Sequence, residues 1–276
     1  MEDSRYIGFM DSGLGGISVL IKALDLMPEE RFFYFGDSAN APYGTKDTAE
    51  VRERTEIIIK KFMAADFKAA VIACNTATSA AAKELRRKYP DFPIIGVEPA
   101  IKPAGLAFKG QKIAVLGTPV TLKEEKFEKL LARCSKYADY ALVPCDGLME
   151  FVERGELSGE KLREYLINKI PEEVRRDSKA VVLGCTHYPF VKSAIASVFH
   201  REVAIFDGGE GTARQLGRVL ESRGLRAADS EEQQRLQNPE YRARLRKKNL
   251  SQVRFDNSKE DPKLLALSRR LLEERL

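Results

Sequence analysis

The sequence has few of the residues that build metal sites and no long hydrophobic run. Its 276 residues include two histidines and four cysteines. The cysteines lack the paired CxxC spacing of a zinc site, which argues against a structural metal. No run of about 18 apolar residues is present, so the sequence predicts no membrane-spanning helix. Lysine and arginine exceed aspartate and glutamate by only five (46 − 41), a balance too even to predict a nucleic-acid partner.

The N-terminal residues also lack the pattern of a secretory signal. Met1–Arg5 leads directly into the apolar segment Tyr6–Met10, without a basic stretch, a hydrophobic stretch and a cleavage site in succession. We therefore expect a cytoplasmic protein whose cysteines are free thiols. A composition of 43% hydrophobic and 32% charged residues is ordinary for a globular protein, so a substantial core can form.

Short β-type segments alternate with longer helical segments along most of the chain. The predicted strands, many of them continuous apolar runs, are Tyr6–Met10, Arg31–Phe35, Ala69–Ala73, Ile94–Val97, Lys112–Leu116, Tyr140–Val143, Ala180–Leu183 and Glu202–Phe206. The predicted helices include Thr48–Ala65, Ala77–Lys88, Leu122–Cys134, Gly159–Lys169, Phe190–Phe199 and Gly211–Arg223. Thr45 is the predicted N-cap of the first of these helices. Alternating βα units predict parallel sheets with helices on both faces.

Two stretches of the sequence resemble each other. Ala69–Thr76 (AAVIACNT) is similar to Ala180–His187 (AVVLGCTH), and the cysteines within them are 111 residues apart (185 − 74 = 111). The strands that follow these stretches, and the strands that contain Ile7 and Ile113, recur at similar offsets. The repeated offset favours two related halves over the alternative that two buried strands are alike by chance.

The repeat predicts the domain organisation. We expect an α/β fold of two pseudo-symmetric, doubly wound domains with parallel sheets and an active-site cleft between the domains. The first domain is expected to take residues 1–98 and 208–276 and to carry Cys74. The second is expected to take residues 99–207 and to carry Cys185.

The C-terminal quarter of the chain begins with a polar, charged stretch. Arg226–Leu250 is interpreted as a solvated, partly helical insertion, because a charge run of this kind usually forms a solvated surface. Val253–Asp256 then has the pattern of a strand and Pro262–Leu272 that of an amphipathic helix. These last two elements would return the chain to the first domain.

A glycine-rich segment follows the first predicted strand, at the edge where open α/β sheets bind ligands. This segment, Asp11–Gly16 (DSGLGG), opens a helix whose first N–H groups can bind an anion. It lacks the full GxGxxG pattern and has no Walker lysine, so it is a weak nucleotide signature. A tight turn without a ligand and a site for a carboxylate or small anion are both open.

Cys74 and Cys185 end the two matching strands, each where a helix is expected to begin. A helix N-terminus can lower the pKa of a thiol. Inversion of a stereocentre by proton transfer needs an acid on one face and a base on the other, which two opposed thiols would supply. Asp11 and His187 are candidates for tuning the thiols, although a purely structural imidazole at His187 is equally open.

Five motifs occur in a fixed order along the chain. They are Asp11–Gly16 (DSGLGG), Pro42–Gly44 (PYG), Cys74–Thr78 (CNTAT), Gly96–Ala100 (GVEPA) and Gly184–Pro189 (GCTHYP). Together they resemble the motif set of bacterial glutamate racemases, in the cofactor-independent aspartate/glutamate racemase superfamily. The resemblance runs from residue 6 to about residue 225, and the final strand and helix are similar too.

The resemblance implies roles for particular residues. Cys74 and Cys185 would be the two acid/base residues, and Glu153 resembles a family position near the second cysteine. The residues implied to bind substrate or to assist are Asp11, Ser12, Tyr43, Gly44, Asn75, Thr76, Thr186 and His187. The resemblance further implies glutamate as substrate, no metal or pyridoxal phosphate, a homodimer, and D-glutamate as a product for peptidoglycan synthesis.

Three alternatives remain open from the sequence. The same chemistry could act on aspartate, because one sequence does not define the pocket walls. Cys185 and His187 could form a nucleophilic pair for amide or acyl transfer, although that reading leaves Cys74 unexplained. A catalytically silent amino-acid-binding protein is the third alternative.

Cys134 and Cys145 are interpreted as ordinary core thiols.

Overall fold

A computed structural model describes residues 3–274, the side chain of residue 230 excepted. Its strands, in chain order, are β1 (Tyr6–Asp11), β2 (Arg31–Gly36), β3 (Ala69–Ile72), β4 (Ile94–Gly96), β5 (Lys112–Gly117), β6 (Asp139–Pro144), β7 (Ala180–Leu183), β8 (Ala204–Asp207) and β9 (Arg254–Asn257). Its α-helices are α1 (Ile17–Leu26), α2 (Thr48–Ala64), α3 (Asn75–Lys88), α4 (Ile101–Ala107), α5 (Pro119–Lys123), α6 (Glu125–Cys134), α7 (Leu148–Glu153), α8 (Glu160–Lys169), α9 (Glu172–Asp177), α10 (Lys192–Ser197), α11 (Gly209–Ser222), α12 (Ser230–Arg235), α13 (Pro239–Leu250) and α14 (Pro262–Glu273).

The strands form two sheets in which every pairing is parallel. One sheet has the order β4-β3-β1-β2-β9 and the other the order β8-β7-β5-β6. The first four strands of each order match by the sequence repeat, and Ile7 pairs with Ala69 as Ile113 pairs with Ala180. The predicted α/β class with two related parallel sheets is therefore confirmed.

The chain forms two compact units. The first unit ends at Val97 and resumes at Gly209, and the second takes Glu98–Gly208. The central strands β3 and β7 are buried at every residue, which explains their unbroken apolar sequences. In the first unit the core joins β3 to α2 and α3, and in the second it includes residues of α4, β5, α6 and β7.

Some predicted helices begin or end elsewhere. Asp47, and not Thr45, is the N-cap of α2: its carboxylate accepts from the Ala49 N–H, while the Thr45 hydroxyl donates to the carbonyl of Pro42. The single helix predicted over residues 122–134 is two helices, because Glu124 between α5 and α6 is extended. The helix predicted over residues 190–199 begins as a 3-10 turn and becomes α-helical only at Lys192.

The polar stretch from Arg226 to Leu250 contains helices α12 and α13, as the interpretation of a partly helical insertion predicts. Helix α13 has no buried residue, yet it is attached to the end of α1. Arg242 donates to the carbonyl of Asp25, and Arg246 forms an ion pair with the carboxylate of Asp25. From residue 3 to residue 274, none of the helices is both long enough and apolar enough to cross a membrane.

A fully buried ion pair stabilises the first unit at the amino-terminal ends of β2 and β3. Lys68 Nζ lies 2.6 Å from Glu30 Oε2, and both side chains are 0% exposed. Lys68 also donates to the carbonyl of Asp3, and Glu30 accepts from the N–H of Ala227, where the chain has returned after α11. Burial raises the pKa of Glu30, and the charge of Lys68 opposes that effect.

We expect Lys68→Met to lower the free energy of unfolding by about 3–5 kcal/mol, because it removes the nearer cation from the buried Glu30 and leaves only Arg226, whose Nε lies 3.6 Å from Glu30 Oε1. The loss should be smaller in acid, where Glu30 takes up a proton. Urea denaturation at several pH values measures both effects. Lys60→Met is the matched control, since Lys60 is 59% exposed and pairs with Glu56 on the surface. A loss below about 1 kcal/mol for Lys68→Met would contradict this account.

Candidate active site

Cys74 lies between β3 and α3 and is the N-cap of that helix. Its Sγ accepts a hydrogen bond from the Ala77 N–H at 3.5 Å, and its thiol lies 3.8 Å from the hydroxyl oxygen of Ser12. The side chain is only 6% exposed. A thiolate at this position would gain from the amide donor and from the positive end of the helix dipole. The expected location of Cys74 at a helix N-terminus is thus observed.

The glycine-rich segment after β1 is organised by its own carboxylate. Asp11 is fully buried, and its Oδ2 accepts from the N–H of Gly13 at 3.0 Å. A side chain at Gly16 would place a Cβ 2.8 Å from the Cβ atoms of Asp11 and Ala73, so only glycine fits there. The Asp11 carboxylate thus uses one N–H group of the loop as its own donor and closes a tight turn. This turn presents Ser12 and Asp11 beside Cys74.

The loop after β2 adds two residues that the sequence analysis does not identify, Asp37 and Asn40. The Tyr43 hydroxyl donates to Asp37 Oδ2 at 2.6 Å, and Asn40 Nδ2 donates to Asp37 Oδ1 at 2.8 Å. Burial raises the pKa of Tyr43 strongly, reinforced by the hydrogen bond to Asp37 and then by the charges of Asp37, Cys74 and Asp11. Tyr43 is therefore a neutral phenol at physiological pH. The sequence feature that could have identified Asp37 is its position directly after β2, because Asp11–Gly13 occupies the corresponding position at the end of β1.

The first turn of α3 supplies further polar groups. Thr76 is 7% exposed and Asn75 is half-buried. Among the side chains that the structure describes, Asn75 Oδ1 is a buried atom without a hydrogen-bond donor. Gly44 follows Tyr43 within a short 3-10 turn, Tyr43–Thr45. These groups, together with Ser12 and Cys74, form the first half-site.

Cys185 follows β7 at the place that matches Cys74. The Gly184 N–H donates to the carbonyl of Leu116 at 2.7 Å, as the Ala73 N–H donates to the carbonyl of Met10 at 2.8 Å. Unlike Cys74, Cys185 is not itself a helix N-cap: a turn follows it, a 3-10 helix covers Tyr188–Val191, and α10 begins at Lys192. An α-helix N-terminus therefore does not act on the thiol of Cys185.

His187 is the titratable side chain that contacts the Cys185 thiol. Its Nδ1 lies 3.6 Å from Cys185 Sγ, and its Nε2 lies 2.7 Å from Glu153 Oε1. Burial taken alone would lower the pKa of His187, but the hydrogen bonds to Cys185 and to Glu153 outweigh it, and the pKa lies well above 6.5. In its protonated form the ring can donate to a thiolate from one nitrogen and to a carboxylate from the other. Cys185, His187 and Glu153, with the buried Thr186, form the second half-site.

Two other residues beside Cys185 were not identified as site residues from the sequence. The hydroxyl of the fully buried Tyr188 donates to the carbonyl of Cys145 at 3.0 Å, and this bond joins the turn after β7 to the end of β6. Burial raises the pKa of Cys145 to about 12. Cys145 is therefore a neutral buried thiol, in keeping with its interpretation as a core residue, and Cys134 is buried as well.

The two half-sites contain acid/base groups. Each presents one thiol at the carboxyl end of a central strand, with polar or charged neighbours that can support proton transfer. In the part of the chain that the structure describes, no three histidine, cysteine, aspartate or glutamate side chains are grouped so as to hold a metal ion.

Comparisons with known proteins agree with this chemistry. A family model described as Asp/Glu/Hydantoin racemase matches residues 17–216. A glutamate racemase of Clostridium acetobutylicum is 45% identical over 97% of this chain and 97% of its own length.

Solved structures give the same relationship. Glutamate racemase from Thermus thermophilus, in complex with β-chloro-D-alanine, is 31% identical with a TM-score of 0.72, and the match covers 100% of this chain and 96% of that one. Glutamate racemase from Escherichia coli, in complex with L-glutamate and the activator UDP-MurNAc-ala, is 30% identical with a TM-score of 0.72. That match covers 79% of this chain and 82% of the other.

Proposed function

Because this chain belongs to the Asp/Glu/hydantoin racemase family, we propose that it interconverts L-glutamate and D-glutamate. It is an amino-acid racemase, as relatives up to 45% identical over 97% of the chain are named glutamate racemases. The proposal of glutamate rests on those relatives and on the similar Escherichia coli enzyme that was crystallised with L-glutamate.

The proposed mechanism uses the two thiols as a base and an acid. One cysteine, as thiolate, removes the proton from Cα, and the other, as thiol, returns a proton to the opposite face. The two roles exchange when the other enantiomer is the substrate. The single observation that carries this proposal is the matched placement of Cys74 and Cys185 at the ends of β3 and β7, each beside polar partners. By the family resemblance, Cys74 is the base for D-glutamate.

The residues around each thiol have distinct proposed roles. Asn75 Oδ1, a buried acceptor, suits the ammonium group of the substrate. His187 stabilises Cys185 as thiolate, and Glu153 holds the imidazolium. Asp11 orients the loop that carries Ser12. The groups proposed to hold the two carboxylates are the side chains of Ser12, Tyr43, Thr76 and Thr186 and the backbone of Gly44.

We propose that residues 1–98 and 208–276 form the domain that supplies Cys74, and that residues 99–207 form the domain that supplies Cys185. The substrate would then bind in a cleft with one thiol on each side of Cα. We further propose a cytoplasmic homodimer that supplies D-glutamate for peptidoglycan. Growth without added D-glutamate, in a bacterium that has lost its own source of it, tests that supply, and light scattering tests the dimer.

The substrate proposal predicts selectivity for a side-chain carboxylate. We expect glutamate to be racemised at least about 100-fold more efficiently than glutamine. Hydrogen-bond donors placed for both oxygens of a carboxylate cannot all be satisfied by an amide, because its NH₂ group does not accept hydrogen bonds. Circular dichroism, recorded with each pure enantiomer, measures the rates. The assays contain no pyridoxal phosphate and are run both with and without a chelator. Equal turnover of glutamine would refute recognition of the carboxylate, and faster turnover of aspartate would reassign the substrate.

A further inference from the structure

The strand β9 brings a distant part of the chain to the loop that carries Asp37 and Tyr43. In the parallel pairing of β9 with β2, Asn257 is the partner of Gly36. Two side-chain hydrogen bonds join the residues after β2 to the end of β9 and the residue that follows it, and each spans 219 positions in sequence. The loop is thus attached to the returning C-terminal segment of the first unit.

Three hydrogen bonds make this attachment. The hydroxyl of Ser258 accepts from the Ala39 N–H at 2.9 Å, and the Ser258 N–H donates to the carbonyl of Gly36 at 3.0 Å. Asn257 Nδ2 donates to the hydroxyl of Ser38 at 2.9 Å. Asn257 is only 2% exposed, and a Cβ on Gly36 would lie 2.8 Å from its Nδ2, so the two backbones and the amide pack without spare room.

The loop held in this way carries Asp37 and leads to Tyr43, which belongs to the same buried cluster as Cys74. The N–H of Asp37 donates to the carbonyl of Asp11 at 2.9 Å, and the carboxylate of Asp37 accepts from Tyr43 and Asn40. The charge of Cys74 contributes to the raised pKa of Tyr43, which places the phenol within electrostatic range of the thiol. A displacement of residues 36–40 would therefore be passed through Asp37 to Tyr43.

Within residues 3–274, the second sheet has no strand in the place of β9. Its described order ends at β6, the strand that matches β2, and the residue that matches Asp37 there is Cys145, whose carbonyl is held by Tyr188. The attachment by Asn257 and Ser258 is thus particular to the unit that carries Cys74.

We propose that Asn257 and Ser258 are positioning residues for the racemase reaction: they fix Asp37 and Tyr43 for substrate binding beside Cys74. This inference rests on the proposed function of the site. Because Tyr43 is assigned to binding and the thiols to proton transfer, loss of the attachment raises KM more than it lowers kcat.

The experiment compares Ser258→Ala, Ser258→Thr and Asn257→Leu with the wild-type chain. Ser258→Ala removes the acceptor for Ala39, and Ser258→Thr keeps a hydroxyl. Asn257→Leu keeps the approximate volume but removes both the donor to Ser38 and the acceptor of the Lys259 N–H. Ser251→Ala is the matched control, since the Ser251 hydroxyl donates to the Lys248 carbonyl at the end of α13 and not to the loop after β2. KM and kcat are measured for both enantiomers, with hydrogen exchange of the peptide containing residues 36–45.

We expect Ser258→Ala to raise KM for glutamate about 5- to 10-fold, the effect of one hydrogen bond, with kcat reduced less than about threefold. Asn257→Leu should raise KM about 10- to 30-fold, because it leaves the buried Ser38 hydroxyl without its donor. Both variants should exchange faster in the loop peptide, while Ser258→Thr and Ser251→Ala should resemble the wild type.

Three outcomes would overturn the proposal. Unchanged KM in both Ser258→Ala and Asn257→Leu would show that the attachment does not position the site. Equal falls in kcat for all variants without a change in KM, or failure of Ser258→Thr to restore the wild-type KM, would indicate a general structural role. A wild-type chain that does not racemise glutamate would instead refute the proposed function, and the hydrogen-exchange comparison would still show whether the loop is held by these residues.

Discussion

Replacing Cys185 with serine should abolish racemisation of glutamate while leaving exchange of the α-proton of D-glutamate with solvent. In the proposed mechanism each direction of racemisation needs both thiols, one as base and one as acid. Cys74 remains to remove the proton from D-glutamate and can return a solvent proton to the same face. Serine is far harder to ionise than cysteine, so L-glutamate loses its base. We expect racemisation to fall by at least about 10³-fold, within the range for loss of an acid/base group.

Cys74→Ser should give the mirror result, with exchange retained from L-glutamate and lost from D-glutamate. Incorporation of deuterium at Cα, followed by proton NMR in deuterated water, measures both enantiomers. Cys134→Ser is the control, since its thiol is buried in the core of the second unit and should leave the rates unchanged. Symmetric loss of exchange in the two active-site variants, or full activity in either, would remove the two-base assignment.

His187→Asn should have the second largest effect, lowering the rate from L-glutamate about 10²- to 10⁴-fold. His187 lies beside Cys185, the proposed base for L-glutamate, and asparagine cannot supply the positive charge that a protonated imidazole would. The loss of α-proton exchange should be greater from L-glutamate than from D-glutamate, because Cys74 lies in the other half-site. Equal losses from both enantiomers would instead show that His187 acts on substrate binding in general.

The raised pKa of His187 also predicts the pH dependence of stability. A group whose pKa is raised by folding contributes stability that is fully present below its unfolded value, near 6.5, and is lost as pH rises through the folded-state pKa. The wild type should therefore exceed His187→Asn in free energy of unfolding most at about pH 6, and the difference should shrink at alkaline pH. Chemical denaturation across this range measures it. A difference that grows with pH would contradict the assigned imidazolium.

The sequence was enough to predict the two parallel sheets. Continuous apolar runs located the buried strands, and the repeat indicated two related sets of them. The sequence was also enough to select Cys74 and Cys185, since both end such runs. The sequence does not reveal helices α4, α7 and α9, which have six or seven residues each and too few turns to show helical periodicity.

The contributions of Asp37 and Asn257 could not be predicted for a different reason. Neither residue belongs to a sequence motif that indicates a site. Asp37 joins the first half-site through strand order, since β2 lies beside β1 and the Asp37 N–H bonds to Asp11. Asn257 reaches its partner Ser38 across 219 positions in sequence, and such pairing depends on the order of strands in the folded sheet.

The interruption of the first unit sets the order in which the two half-sites can form during synthesis. The second unit is one continuous segment, whereas the first stops at Val97 and is complete only after Gly209 and the residues beyond it have been made. Chains grow at about 5–20 residues per second and domains generally fold as units. The environment of Cys185 can therefore be complete several seconds before β9 arrives to finish the environment of Cys74. A nascent chain that stalls before β9 thus holds the later cysteine in a finished unit and the earlier cysteine in an incomplete one, the reverse of their order in the gene.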